Sequence, residues 1–578
     1  MNQVRQRHTN AIRAVLAATA LVVAAGVFHM PADAAATPAA PVYEWVTVVN
    51  NNDLMPPLSV RNFNSYNQPS VNMDGLVVIR ARSRGGPPLG PPTHGIYTRD
   101  MAVEGPIISI LDRTTQVPYP NNLGTTFVET PSFPRIDIGS DTIATRGNHQ
   151  PVWQYTPAGS DETRAGTTGI YTNPFGSLIT GAAKLGAVPE FSFFEVPEFP
   201  GTTFEVFPGS PSVTQSDTIV FKGNYTDPDG YARTGVYFRD LEDAATGGTS
   251  PVVLIANNTT TLIPGTDTVF GSTSPPSAAG KKVVFAGFDD ENAPTLGGLY
   301  LAQLKSRQRL TTLVGIGQRV PGGARADTFN ALGEGGAFDG RFVGFWGAWG
   351  EDTKTVRLYC PTEGNQDRID YCNQVLVCED TDETLYDPNS KWDGTRWYQA
   401  KEVPVNQGIF VHDIDTGRTQ MVAKTGAPFD EFLFWNYSGK TPCTGGGHSE
   451  EGAEDDGEPV RWRSSAFVAV SGGPGATYQT AFKARTADLD GEVYVNPVDG
   501  IYLRRGPSQR QAVTTVVDTT MDGQLLDPEA PGGSTVAELG LEREGLRGDW
   551  LVISAKIGIE GGEEDDGMAG VYATHVNR

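Results

Sequence analysis

The sequence is short of basic residues, cysteines, histidines and long apolar runs. Its 44 Lys and Arg stand against 68 Asp and Glu, a formal net charge of −24. Nucleic-acid binding depends on clustered Lys and Arg, so this deficit argues against a nucleic-acid partner. Four cysteines and seven histidines leave little material for metal or redox chemistry. After residue 28 no apolar run approaches the roughly 20 residues of a membrane span, so we expect no stable membrane insertion.

The first 42 residues have the composition of an export signal. Arg5, Arg7 and Arg13 precede an apolar stretch over residues 14–28, and Ala32-Asp33-Ala34 supplies a small-x-small cleavage site. This order is typical of a secretory signal peptide. The sequence therefore predicts a signal peptide over 1–34, a linker over 35–42, and a soluble protein that is secreted or periplasmic.

Turn-forming residues are abundant. The chain has 68 Gly and 41 Pro, which would break the long helices of bundles and coiled coils. Its 26 Phe, 19 Tyr and 9 Trp provide enough aromatic surface to bury, which argues against a disordered chain. These proportions favour a large, turn-rich β protein.

A short motif of Gly, an aliphatic residue and an aromatic residue recurs along the chain. Its seven copies begin at Gly95, Gly169, Gly235, Gly298, Gly408, Gly500 and Gly570. Most copies follow a β-branched run and precede a second such run, a turn with Pro and a Phe-centred segment. Each unit thus predicts four short strands, which is the pattern of a β-propeller blade.

The ends of the chain predict how the ring closes. The run 45–49 resembles the last strand of a blade but has no earlier strands before it, whereas the final unit stops before its last strand. We therefore predict an all-β, seven-bladed β-propeller over 43–578 in which the N-terminal strand completes the last blade. Two long repeat intervals predict insertions at about 351–405 and 438–462. A closed ring has no free sheet edge, so we expect a monomer.

The repeat resembles a known group of proteins. Pro69-Ser70-x-Asn72-x-x-Gly75-x-Val77-Val78, the Gly95-Ile96-Tyr97 motif and turns such as Val320-Pro321-Gly322 are similar to the repeats of exported bacterial β-propeller repeat proteins. The last three blades lack the Pro-Ser pair. That family is largely without an assigned function, so the resemblance implies the fold and the export but no activity.

The loops between the second and third strands of the blades are acidic. Asp227, Asp229, Asp289, Asp290 and Glu291 lie in two of them. Carboxylates at alternate positions followed by Gly suit Ca²⁺, so these residues are candidate calcium ligands. The alternative is that they are solvated loop carboxylates.

A few residues with proton chemistry fall in neighbouring loops. His94 and His149 fall in the loops between the second and third strands of the first two blades, with Arg82, Arg146 and Tyr155 near them in sequence. A base beside cations that neutralise a uronate carboxylate is the requirement of a polysaccharide lyase. The alternative is two exposed loop histidines. A glycoside hydrolase with paired carboxylates also stays open, because spacing alone cannot select the pair.

The cysteines all fall in the two insertions. Cys360, Cys372, Cys378 and Cys443 allow three pairings, of which we favour Cys360–Cys372 with Cys378–Cys443. The second pair faces a difficulty, because the sequence places the two insertions at opposite ends of the propeller.

Taken together, the sequence predicts an exported binding or scaffold module whose acidic loop face holds a cation, glycan or protein ligand. The alternative is a carbohydrate-active lyase or hydrolase that uses the same face.

Overall fold

The structure is a computed structural model. It describes residues 43–577 except 57–59, 87, 89, 158, 244–248, 307, 363–365, 374–389, 440–460, 509–510 and 560–566. The predicted signal peptide and linker lie outside the described residues. None of the helices in the described ranges is long and apolar enough to cross a membrane.

The described chain forms nine antiparallel sheets: seven blades of four to six strands and two two-stranded hairpins. Their strands, in chain order, are β1 (Trp45–Asn50); β2 (Phe63–Tyr66), β3 (Ser70–Val71), β4 (Leu76–Ser83), β5 (His94–Asp100) and β6 (Ile108–Asp112) of blade 1; β7 (Phe127–Glu129), β8 (Arg135–Ile136), β9 (Ile143–His149), β12 (Thr168–Thr172) and β13 (Ile179–Ala183) of blade 2, with the hairpin β10 (Trp153–Tyr155) and β11 (Thr163–Ala165) between β9 and β12; and β14 (Ser212–Thr214), β15 (Thr218–Thr226), β16 (Ala232–Asp240) and β17 (Val253–Asn257) of blade 3.

The remaining blades continue this order. They contain β18 (Ser272–Thr273), β19 (Ser277–Ala279), β20 (Lys282–Phe288), β21 (Gly297–Gln303) and β22 (Thr311–Gly315) in blade 4; β23 (Phe329–Leu332), β24 (Ala337–Phe338), β25 (Phe342–Tyr359), β26 (Ser390–Trp392), β27 (Trp397–Asp413) and β28 (Arg418–Lys424) in blade 5; the hairpin β29 (Phe434–Ser438) and β30 (Arg461–Ser465), then β31 (Val468–Gly472), β32 (Tyr478–Asp490), β33 (Val493–Gly506) and β34 (Thr514–Asp518) in blade 6; and β35 (Thr535–Gly540), β36 (Leu546–Arg547), β37 (Trp550–Gly558) and β38 (Met568–His575) in blade 7. Short helices are α1 (Gln366–Cys372), α2 (Gly523–Leu526) and 3-10 turns at Pro189–Phe194 and Pro474–Ala476.

The N-terminal strand closes the ring. β1 pairs with β38, so the last sheet runs β1-β38-β37-β35 and has its outermost strand from the start of the chain. The innermost strands β3, β8, β14, β19, β24, β31 and β36 contact one another in that cyclic order, and β36 returns to β3. The predicted all-β, seven-bladed propeller and its closure are confirmed.

The core of the molecule lies between the blades rather than within one of them. Seven apolar clusters are each shared by two neighbouring sheets; Val78 of blade 1, for example, packs with Ile143 of blade 2. Apolar burial supplies the main stabilising term in folding, and here it holds neighbouring blades together.

The Gly of the repeated motif is explained by the aromatic residue two positions later. A Cβ on Gly95 would lie 2.8 Å from the Tyr97 hydroxyl oxygen and 2.5 Å from the carbonyl oxygen of Leu111. Real Cβ atoms do not approach other atoms this closely, so the ring can fold back over its own strand only where the residue is glycine. The repeat is therefore a packing motif, and its seven copies mark the third strand of each blade.

Candidate functional site

One end of the propeller carries the loops that the sequence identifies as functional. The loops between the second and third strands meet the connections that enter each blade: Arg61 donates to the carbonyl oxygen of Pro91 at 2.7 Å, and the Asn122 amide donates to that of Gln154 at 2.8 Å. We call this end the loop face. All of the predicted catalytic and metal residues lie on or beside it.

A structurally equivalent position near the loop face is basic in four of the seven blades. It is the residue of the second strand that pairs with the aliphatic residue of the repeated motif. The pairs are Arg80 with Ile96, Arg146 with Ile170, Lys222 with Val236, Ala286 with Leu299, Trp346 with Ile409, Lys483 with Ile501 and Ser554 with Val571. Blades 1 to 3 thus place three cations at successive equivalent positions. With Arg82 and His94, which pair across blade 1, they form a surface that we call the basic wall.

Glu129 is the acid that acts on the wall in blades 1 and 2. Its carboxylate lies 3.8 Å from an Arg80 guanidinium nitrogen, and its negative charge favours the protonated forms of His94 and Arg146 as well. Arg80 is held in place by donating to Asn67 at 2.7 Å and to the carbonyl oxygen of Thr130. One carboxylate therefore acts on three positive or protonatable groups, Arg80, His94 and Arg146.

Arg146 and Lys222 lack a counter-charge in contact. Neither side chain makes an ion pair or a hydrogen bond with any residue the structure describes, and the buried Nε of Arg146 has no partner. Burial lowers the pKa of both groups, against the opposing pull of Glu129 on Arg146 and of Glu334 and Glu291 on Lys222. A half-buried cation without a partner carries an unmet desolvation cost, which an anion bound beside it would offset.

His94 is the histidine of the basic wall. Its Nδ1 is buried without a hydrogen-bond partner. Burial first, and then the positive charges of Arg80, Arg82 and Arg113, lower its pKa to about 4 in spite of Glu129. The ring is therefore neutral at pH 7 and can accept a hydrogen bond or a proton through one nitrogen.

His149 is occupied by its own blade. Its Nε2 contacts the Tyr171 hydroxyl at 2.5 Å and its Nδ1 contacts the carbonyl oxygen of Gln150 at 2.8 Å. Within the described ranges no hydrogen bond or ring contact joins it to His94, and Tyr155 packs on the core between blades 1 and 2. Of the five predicted catalytic residues, the structure thus joins His94 and Arg82 by strand pairing and places Arg146 near them through Glu129; His149 and Tyr155 have structural contacts of their own.

Most of the candidate calcium ligands accept hydrogen bonds from residues of their own loops. Asp227 accepts from the backbone of Asp229 and Tyr231 and from Arg233 at 2.6 Å, and these hydrogen bonds lower its pKa. Asp289 accepts from Thr295 and Leu296 in the same way.

The other acidic loop residues differ in what they contact. Asp290 accepts from two backbone amides, and Glu291 pairs with Arg461 at 3.0 Å. No group of three His, Cys, Asp or Glu side chains in the described part of the chain could hold a metal ion. Calcium binding on these loops stays a prediction.

The two insertions pack together on the loop face. Cys360 and Cys372 form a disulfide, as predicted, with their Cα atoms 5.7 Å apart. Trp462 of the second insertion packs in the same cluster and also against Val356 of the first. The expected separation of the insertions to opposite ends is wrong, because the hairpin β29–β30 precedes the innermost strand β31. Cys378 and Cys443 lie outside the described residues.

These insertions cover the fourth cation of the equivalent position. Lys483 lies 4.0 Å from the ring centre of Phe434 in the hairpin and 3.9 Å from an Asp499 oxygen. Burial lowers the pKa of Lys483 to about 8, against the opposing effect of Asp499. Lys483 is therefore a packed, paired cation, unlike Arg146 and Lys222.

A second charged cluster lies on the propeller axis. Arg135 of blade 2 contacts Glu542 and, at 3.1 Å, Glu544 of blade 7, and all three side chains are buried. Arg543 donates to the carbonyl oxygen of Pro275 in blade 4, and Arg547 donates to those of Val470 and Phe338 in blades 6 and 5. Further hydrogen bonds from Ser212 and Val71 reach Glu544. The donor–acceptor distances of these contacts are between 3.0 and 3.4 Å. We call Arg135, Glu542, Arg543, Glu544 and Arg547 the axial cluster; it joins blade 7 to every other blade.

No family model matches the chain, and a comparison with curated proteins finds no match. Among solved structures it is similar to an oligogalacturonate lyase in complex with manganese, with 8% identity, a TM-score of 0.36, and coverage of 90% of this chain and 98% of that one. An ancestral GH74 enzyme gives 10% identity and a TM-score of 0.34, with 93% of this chain and 51% of that one covered. The Pseudomonas aeruginosa periplasmic gluconolactonase gives 10% and 0.28, with 81% and 93% covered. At these identities and scores the likeness carries no information on activity.

Proposed function

We propose that this protein is an exported binding module whose basic wall holds a glycan that carries carboxylates. The observation that carries the proposal is the pair Arg146 and Lys222, cations at equivalent positions of adjacent blades without a contacting counter-charge among the described residues. In a chain with a net charge of −24 such cations have many carboxylates available, yet they are left unpaired on the loop face.

The arrangement of the cations suits a polymer with regularly repeated negative groups. Arg80, Arg146 and Lys222 lie at equivalent positions of three successive blades, so they form a row with one cation per blade. Guanidinium groups bind carboxylates through charge-assisted hydrogen bonds, which are about twice as strong as neutral ones. The overall negative charge opposes long-range attraction of any polyanion, so recognition must occur at short range through this row.

Export and family membership are part of the proposal. The predicted signal peptide and the resemblance to exported bacterial β-propeller repeat proteins both support export. The Cys360–Cys372 disulfide is compatible with an oxidising compartment. An exported protein encounters uronate polysaccharides outside the cytoplasm.

The test compares binding of polygalacturonate and of neutral dextran by isothermal titration calorimetry. We expect the wild-type protein to bind polygalacturonate only, and Arg146→Gln to weaken that binding about tenfold, the effect of one charge-assisted hydrogen bond. Lys281→Gln is the matched control, because Lys281 is exposed in the turn between β19 and β20 at the opposite end of the propeller. Equal losses in both variants, or equal binding of dextran, would contradict the proposal.

A second candidate is eliminative cleavage of the same ligand, favoured by the unpartnered Nδ1 of His94 beside Arg80 and Arg82. His94 would take the proton α to the carboxylate, a C=C bond would form as the glycosidic C–O bond β to it breaks, and solvent would protonate the leaving oxygen. A pKa of about 4 makes His94 a weak base, so binding without cleavage ranks first. Appearance of an unsaturated uronate by ultraviolet absorbance, abolished in His94→Gln, would establish the lyase.

A further inference from the structure

Glu129 occupies a distinctive place on the basic wall. It ends β7, the inner strand of blade 2, lies 3.8 Å from Arg80 of blade 1, and its charge also acts on Arg146 of its own blade. Its carboxylate is the acidic group among the charges that act on His94, where the other three are Arg80, Arg82 and Arg113. The Glu129 side chain is thus a carboxylate beside cations, and the proposed ligand would bind those cations through the same functional group.

The contacts of Glu129 are weak for a structural ion pair. Its side chain is 44% exposed, its distance of 3.8 Å from Arg80 exceeds a hydrogen bond, and its carboxylate accepts no hydrogen bond from the residues that the structure describes. Half-exposed pairs of this kind contribute little to stability. By contrast, Arg80 keeps two firm contacts of its own, to Asn67 and Thr130, and stays in place without Glu129.

We infer that Glu129 is an internal occupant of the anion site beside Arg80, from which a ligand carboxylate displaces it. This inference rests on the proposed function, because it names the group that the ligand replaces. Displacement would need only a rotation of the Glu129 side chain into solvent, and no covalent or redox step is involved.

An internal carboxylate would act as a selectivity device. A single small carboxylate competes poorly with a tethered one, since the tethered group has a high effective concentration. A polymer that also contacts Lys222 gains a second cation that Glu129 does not occupy. Glu129 would therefore favour carboxylated polymers over free monocarboxylates such as acetate.

The test measures polygalacturonate binding to wild type, Glu129→Gln and Glu129→Asp by isothermal titration calorimetry. Removing the competing charge should tighten binding about two- to fivefold in Glu129→Gln, the range expected for a partly exposed charge. Glu129→Asp keeps the charge on a shorter side chain and should fall between the two. Glu242→Gln is the charge-matched control, exposed after β16 at the opposite end, and should leave the affinity unchanged.

Each outcome decides a different statement. Equal or weaker binding by Glu129→Gln, with wild type binding well, overturns the role of Glu129 and leaves the proposed function standing. Absence of binding by both proteins overturns the proposed function and this inference with it. A gain of the same size in Glu242→Gln would show a general charge effect and would also overturn the inference.

Discussion

The propeller contains two groups of buried or half-buried cations that differ in whether other residues contact and pair with them. In the axial cluster Arg135 contacts two glutamates, and Arg543 and Arg547 donate to backbone carbonyls of three other blades. On the basic wall Arg146 and Lys222 have no such partner in the described ranges. The axial cations thus have contacting partners, although the Nε atoms of Arg135 and Arg547 lack one, whereas Arg146 and Lys222 have none among the described residues.

The difference indicates what each group is for. Removing one partner from a buried ion pair is costly because the other charge stays buried. The axial cluster links all seven blades, so we infer that its charges stabilise the folded ring. On the basic wall, Arg146 and Lys222 bear a similar desolvation cost without a contacting counter-charge among the described residues, which is expected of a site that binds an anionic ligand.

The sharpest way to break this comparison is to delete one cation from each group. Arg135→Met leaves Glu542 and Glu544 buried with their main counter-charge gone, so we expect the free energy of unfolding to fall by about 3–5 kcal/mol. Arg146→Met removes an unpaired cation and should change it by less than about 1 kcal/mol. Urea denaturation followed by tryptophan fluorescence measures both. Similar losses in the two variants would show that the groups do not differ in role.

The fold could be predicted from the sequence because a propeller repeats one local pattern. Gly95 and its six counterparts record a steric requirement of the third strand and, at most copies, of the strand beside it, and the spacing of these glycines counts the blades. The closure by β1 followed from an unpaired strand pattern at each end of the chain. Neither step needed contacts between distant residues.

The candidate site was only partly predictable. The sequence points to the right end of the propeller and to Arg82, Arg146 and His94, but it describes that end as acidic. Lys222 was missed because its equivalence to Arg80 and Arg146 depends on an alignment of the second strands of the blades. In that alignment, the matched residues are those that pair with the aliphatic residue of the repeated motif. That alignment can be made from the sequence alone.

The axial cluster could not be predicted in the same way. It joins Arg135 to Glu542 and Glu544 across some four hundred residues, and the segment 541–545 replaces the Pro-Ser of earlier repeats with charges. A departure from a repeat shows that a position is special but does not name its partners. The predicted position of the second insertion was wrong for a related reason, because the spacing of the repeats did not show that the hairpin β29–β30 precedes β31.

A smaller effect is expected from the histidine of the basic wall. The folded-state pKa of His94 is about 4, below the ordinary value of 6.5, so between these pH values the unfolded chain binds a proton that the folded one does not. Stability is therefore lost as the pH falls from about 6.5 towards 4. The full shift would correspond to about 3 kcal/mol, and the half-exposure of His94 reduces our expectation to about 1–2 kcal/mol.

The measurement is urea denaturation of wild type and His94→Gln at several pH values from 7.5 to 4.5. The variant lacks the titrating group, so its free energy of unfolding should decline less steeply across this range. Glu129→Gln should steepen the wild-type decline, because Glu129 opposes the lowering of the His94 pKa. Parallel curves for wild type and His94→Gln would mean that His94 is solvated like an ordinary surface histidine.

The smallest change in stability is predicted for calcium binding to the loops between the second and third strands of blades 3 and 4, which we call the outer loops. Their carboxylates contrast with the cations of the basic wall. Asp227 and Asp289 already accept several hydrogen bonds from their own loops, so a bound ion would have to share or replace them. An extracellular-type site with a Kd of about 0.1–1 mM would add about 1.4 kcal/mol at ten times its Kd. Thermal unfolding with millimolar Ca²⁺ measures this, with Asp229→Asn and Asp290→Asn as variants. An unchanged melting temperature would end the calcium hypothesis, whereas a rise that both variants abolish would make the outer loops a second site, of opposite charge preference to the basic wall.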